Sequence, residues 1–149
     1  MKPTFLIFAA VLFVFSCNNT DSGNTTRSNN ASVPKTLSDS LYKAAMDGHD
    51  VGMAKMGELS RYRHLIEQKI DSLTAKKVKA KLLHPLDSAL KALSGAEEGM
   101  HLWMQEFDPD KAGSTETEKV QFYRLEKEKI DSVNARILES IDAAKRVAE

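Results

Sequence analysis

From Thr36 onward, apolar residues recur every three or four positions, the spacing that holds side chains on one face of an α-helix. Three stripes can be followed. The first runs Leu41, Ala45, Gly52, Met56, Leu59, Ile66, Ile70 and Leu73, close to a heptad. The second is Val78, Leu82, Leu86, Leu90, Leu93, Met100, Met104 and Phe107. The third is Val120, Tyr123, Ile130, Val133, Ile137, Ile141 and Ala144. Glu, Lys, Arg and Asp fill the other faces, and no segment alternates as a strand does. The pattern predicts helices over about 37–74, 79–107 and 116–147. The fold class is all-α: an antiparallel three-helix bundle, or an elongated helical hairpin with coiled-coil character. The first helix alone would be roughly 55 Å long at 1.5 Å per residue.

Local signals place some boundaries. Thr115-Glu116-Thr117-Glu118 reads as a capping box, with Thr115 as N-cap and Glu118 reaching back. Asp108 to Gly113 reads as the loop before it. The first reversal has two candidate positions, between Thr74 and Lys79 or at His84-Pro85, because proline is tolerated in a first helical turn but breaks an interior.

The N-terminus carries a different pattern. In MKPTFLIFAAVLFVFSC one cation, Lys2, precedes an uncharged apolar run from Phe5 to Phe15 that is too short for a spanning helix. Val14-Phe15-Ser16-Cys17 resembles a lipoprotein lipobox, which implies cleavage before Cys17 and acylation of its sulfur. Cys17 is the only cysteine, so it has no internal disulfide partner. Two or three acyl chains anchor a protein stably where one is marginal. Asn18, in place of the aspartate that retains some lipoproteins at the inner membrane, points to the outer membrane. The resemblance implies that residues 1–16 are a signal peptide and Cys17 is lipidated, the alternative being an ordinary secretory signal with Cys17 incidental. Residues 18–35 read as a flexible Asn/Thr/Ser-rich tether, too poor in apolar groups to offset its ordering entropy, so that 17–35 forms the anchor segment. Residues 36–149 form the helical domain.

The whole chain has no net charge, and loss of Lys2 leaves the mature form at −1, no footprint for nucleic acid. A phosphate-binding glycine loop, a cysteine pair, HExxH and GxSxG are all missing from the sequence. The acid pairs Glu97/Glu98 and Glu126/Glu128 read as parts of polar helix faces. No enzymatic activity is expected.

GHDVGMAKMGEL, residues 48–59, is the unusual stretch: three glycines in a helical segment, each costing about 1 kcal/mol relative to alanine. Met46, His49, Met53 and Met56 share one helical face, while Met100, His101 and Met104 follow in the second helix. A reversal near residues 75–79 would bring the two windows together, whereas one at Pro85 would keep them apart. Two readings follow. In the first, the cluster is core: methionines fill irregular space, Gly48 and Gly52 leave room for Trp103, and Phe107 packs nearby. In the second, Met46, His49, Met53, Met56, Met100, His101 and Met104 offer thioethers and imidazoles to Cu(I) or Ag(I), and Asp50 fixes a histidine tautomer as an outer partner.

His49 to Leu59 and Ala96 to Phe107 also resemble a group of small helical bacterial lipoproteins labelled "viral A-type inclusion protein". His49, Asp50, Met53, Met56 and Gly57 carry the first part of that likeness. Gly99, Met100, Trp103, Met104 and Phe107 carry the second. The label reflects coiled-coil similarity and brings no activity with it. The expected function is a non-enzymatic envelope lipoprotein, held to the membrane by its lipid, whose helical domain acts as a spacer or binds an envelope protein or further copies of itself. The alternative is a soft-metal binder built on the Met/His cluster.

Overall fold

The computed structural model describes residues 33–148; the expected signal peptide, Cys17 and most of the expected tether lie outside them. Three α-helices follow one another: α1 (Leu37–Ala75), α2 (Ala80–Glu106) and α3 (Glu116–Ala148), with a 3-10 turn at Pro109–Ala112 before α3. Each helix touches both others, forming an all-α three-helix bundle. α1 and α3 run parallel, and α2 returns antiparallel between their ends. No described helix is long and apolar enough to cross a membrane.

The core grows from the stripes. Along α1 the buried positions Ser38, Ala45, Gly52, Leu59 and Ile66 recur at seven-residue spacing. α2 contributes Leu86, Ala89, Leu93, Ala96, Met100 and Trp103, and α3 contributes Ile130, Val133, Ile137, Ile141 and Ala144. Three residues of the expected second stripe fall outside this core, the first being Val78 in the turn before α2. Leu82 is 63% exposed, beside the turn, and Met104 is 37% exposed because Trp103 takes the inward position. A sharper correction concerns Glu126. It sits not on a polar face but in the α3 seam, 4% exposed, filling the step between Tyr123 and Ile130.

The first reversal lies at residues 76–79, not at Pro85. Val78 N–H bonds to Leu73 C=O at 3.3 Å and Lys77 N–H to Thr74 C=O at 2.9 Å, the paired bonds of a Schellman motif. The left-handed position usually given to glycine is held by Lys77, φ 55°. Pro85 is accommodated in the second turn of α2. The helical bond that it cannot donate would have gone to the carbonyl of Lys81, an exposed residue that water can serve.

The helix ends are closed by side chains. Thr36 and Asp39 form a capping box at α1, and Thr115 and Glu118 exchange bonds of 2.9 and 3.3 Å at α3. Gly113, φ 83°, is needed at this second entry, since a Cβ there would meet Cβ of Glu118 at 2.7 Å. Glu116 ties α3 to α1: it accepts the Ser38 N–H at 3.0 Å and the Ser38 hydroxyl at 2.7 Å. At the far end Lys69 Nζ donates to the last carbonyls of α3, Val147 at 2.9 Å and Ala148 at 3.0 Å. Acids thus gather at the two parallel N-termini and a cation at the C-termini, as the helix dipoles favour.

Candidate functional site: the glycine, methionine and aromatic layer

Side chains of α2 and α3 press closely on α1 at Gly48 and Gly52. The carbonyl of Gly48 accepts a 2.8 Å hydrogen bond from Asn134 Nδ2 of α3. A Cβ at Gly48 would stand 3.0 Å from the Ile130 methyl. At Gly52 the space a Cβ would need is already occupied by the Met100 methyl and by Asn134 Oδ1. The gaps therefore admit Met100 and the α3 side chains, not Trp103. Trp103 lies beside them: its ring stacks on His49 at 5.7 Å and on Phe107 at 4.7 Å, and its Nε1–H donates to the carbonyl of Glu126 at 3.3 Å. Tyr42 extends the aromatic row to Tyr123, at 5.3 Å edge-to-face. Burial among these groups raises the Tyr123 phenol above its ordinary pKa.

Two polar atoms in this layer lack partners. Asn134 Oδ1 faces Gly52, and Glu126 Oε2 is buried while Oε1 accepts from Lys129 Nζ at 2.7 Å. Neither was legible as a buried group. Glu126 opens a run of charged residues, Glu-Lys-Glu-Lys, which reads as a solvated face until the helix phase is set by its neighbours.

The seven soft donors are distributed unevenly. Met100 is fully buried and directed at Gly52. Met46 and Met56 are half-buried against the core. His49 is half-buried, and its Nδ1–H donates to Asp50 at 3.1 Å, which gives Asp50 the tautomer-fixing geometry and leaves Nε2 without a hydrogen bond among the described residues. Met53 is 42% exposed. His101 is exposed and lines a shallow polar hollow with Arg63, Glu97, Glu98 and Gln105, on the outer side of α2. The reversal at residues 76–79 thus brings the two windows side by side, with Met100 drawn inward and His101 turned away. Among the described residues, no three His, Cys, Asp or Glu side chains converge as a metal site.

A second surface lies on the other side of α2. There α2 and α3 border two adjoining hollows that share Arg136. One is edged by Leu102 and Leu125, exposed by 50% and 57%. The other is floored by Ala92, Gly95 and Ala143. Between them the Arg136 guanidinium rests 3.5 Å from where a Gly99 Cβ would be.

No family model, curated protein or solved structure matches this chain.

Elsewhere, shifted acids mark the helix junctions. The backbone N–H of Ser38 holds Glu116 below the usual carboxylate range, and that of Thr115 does the same for Glu118. Asp39 is lowered first by the Lys35 N–H. Glu58 is lowered by Lys145, which is raised in turn, across a 3.1 Å contact between α1 and α3. All four carboxylates serve architecture, since each partner is a cap or a neighbouring helix.

Proposed function

We propose that the chain is a lipid-anchored bacterial envelope protein, without enzymatic activity, whose helical bundle serves protein association at the membrane surface. The observation that carries this reading is the α2/α3 face. Leu102 and Leu125 stay exposed beside an apolar hollow although the bundle core is complete without them. With each leucine about half exposed, the stabilisation forgone is about 1 kcal/mol apiece, half the value for full burial, and binding at this face would recover it. The lipobox-like Val14 to Cys17 supplies the membrane address, most simply at the outer membrane. Labelled palmitate should enter the full chain in a Gram-negative host and be lost with Cys17→Ser. Detergent-extracted protein should sediment as an assembly. An unlabelled chain, or a lone monomer, would overturn the respective half of the proposal.

A second reading is favoured by the position of the turn. Because α1 and α2 reverse at residues 76–79, Met46, His49, Met53 and Met56 lie alongside the window that holds Met104. A Cu(I) or Ag(I) ion could take thioethers and the free Nε2 of His49 from this set. Free Ag(I) at a hundred times its dissociation constant should add about 2.7 kcal/mol of stability. No rise in Tm, or an equal rise in a Met53→Leu/Met104→Leu variant, would remove this reading.

A further inference from the structure

On the α2/α3 face two glycines one turn apart stand beside the exposed Leu102 and Leu125. Gly95 lies in mid-helix, where glycine is the poorest residue after proline. Nothing lies within 4 Å of the Cβ it lacks. Gly99, one turn on, is covered only by the Arg136 guanidinium. Helices approach each other closely where glycines are spaced this way, but α1 and α3 both pack on the other side of α2, against Leu93, Ala96, Met100 and Trp103.

We infer that a second copy of this chain occupies the face, the two copies stacking α2 on α2 and α3 on α3, antiparallel, about a two-fold axis. The inference rests on the association proposed above and names the partner. Its support is self-complementarity. An axis crossing α2 between Glu98 and Gly99 sets Leu102 of one copy into the gap at Gly95 of the other. The same axis brings Lys91 onto Glu106 of the second copy. Crossing α3 at Asn134, it brings Lys129 onto Glu139 and Arg136 onto Ser132. These two crossing points lie at the same height in the bundle, because Met100 and Asn134 both reach Gly52. One axis therefore satisfies both helices. Lys91 and Glu106 have no oppositely charged partner within 4 Å among the described residues, so each is free to find the other across the axis, while Glu139 would share Lys129 with Glu126.

The size of the face agrees. From Ser88 to Glu106 it is about 27 Å long at 1.5 Å per residue and two helices, about 20 Å, wide. Two copies would bury roughly 1,100 Å² in total, near the lower bound for a specific interface. That suits copies concentrated on one membrane better than copies free in dilute solution.

The test uses the full chain in the membranes of a Gram-negative host, treated with a short bismaleimide and resolved on a denaturing gel. A cysteine replacing Gly99 stands next to its twin at the axis, and its Cβ meets only ordinary contacts. Gly57→Cys, also free of clashes but on α1, is the control, as is the unsubstituted chain with its own Cys17. Gly99→Cys should give a band at twice the chain mass, and Gly57→Cys should not. Adding Gly95→Trp should abolish the band without altering helicity. Lys91→Glu should weaken it about tenfold or more through like-charge contact with Glu106, and Lys91→Glu/Glu106→Lys should restore it. Equal bands from both cysteines, or no restoration by the exchanged pair, would overturn the two-fold arrangement. An adduct of any other mass would overturn the second copy while leaving association at this face intact. No adduct at all would overturn both.

Discussion

Gly52→Ala and Gly57→Ala make the same chemical change five residues apart on α1, and their surroundings should give them opposite signs. Alanine gains about 1 kcal/mol over glycine in a helix interior. At Gly57 nothing lies within 4 Å of the new methyl, so the whole gain should appear. For a domain of this size that corresponds to a rise in Tm of about 4 °C. At Gly52 the methyl enters space held by the Met100 methyl and Asn134 Oδ1. Met100 is fully buried, and close-packed interiors hold few voids for a displaced methyl. Asn134 can withdraw only by weakening its 2.8 Å bond to the Gly48 carbonyl. Overpacking a closed core costs about 1–3 kcal/mol, and a lost internal hydrogen bond about 1 kcal/mol more. Set against the propensity gain, the net change is a loss of about 1–3 kcal/mol. Thermal and urea melts followed by far-UV circular dichroism would measure both variants. The two substitutions should separate by about 2–4 kcal/mol. Shortening the obstacle should relieve the clash, so Gly52→Ala should cost less in a Met100→Ala background, a non-additivity expected only of touching residues. If Gly52→Ala melts as high as Gly57→Ala, the close approach of α3 to α1 at this layer is wrong.

Lys77→Gly should stabilise the α1–α2 reversal by about 1 kcal/mol, because the left-handed conformation costs a lysine what it does not cost glycine; an unchanged urea midpoint would contradict the Schellman geometry. Glu126→Met should leave stability unchanged or raise it by about 1 kcal/mol or more, since an apolar side chain of similar size removes a buried carboxylate with one unpartnered oxygen. A large loss would show that Glu126 has a partner that the fold does not reveal. Acid should weaken the bundle through Glu116. Its folded pKa lies below its unfolded value, so the unfolded chain takes up the proton first and stability falls as pH drops below the usual carboxylate range. Glu116→Gln should flatten that part of the Tm-against-pH curve, and a curve parallel to that of the unsubstituted chain would refute the Ser38 clasp.

What the sequence determined by itself is the local part of the protein. Helix formation depends on bonds four residues apart and on a periodic apolar face, so three helices, the Thr115/Glu118 cap and the loop from Asp108 to Gly113 could be read from neighbours along the chain. The tertiary structure decided everything that depends on the register of one helix against another. Only the packing of α2 and α3 along α1 puts Met100 and Asn134 into the gap at Gly52, where sequence spacing pointed to Trp103. It likewise turns Glu126 into the seam, because a single acid between apolar positions looks the same whether it faces water or the core. The first reversal needed the structure as well: a lysine holds the position where glycine would have announced the turn, while Pro85, the conspicuous breaker, costs only a bond that water can replace. The α2/α3 face became visible last. Leu102 and Gly95 fall off every periodic stripe, and the physical reason to notice them is a completed core that has no use for either.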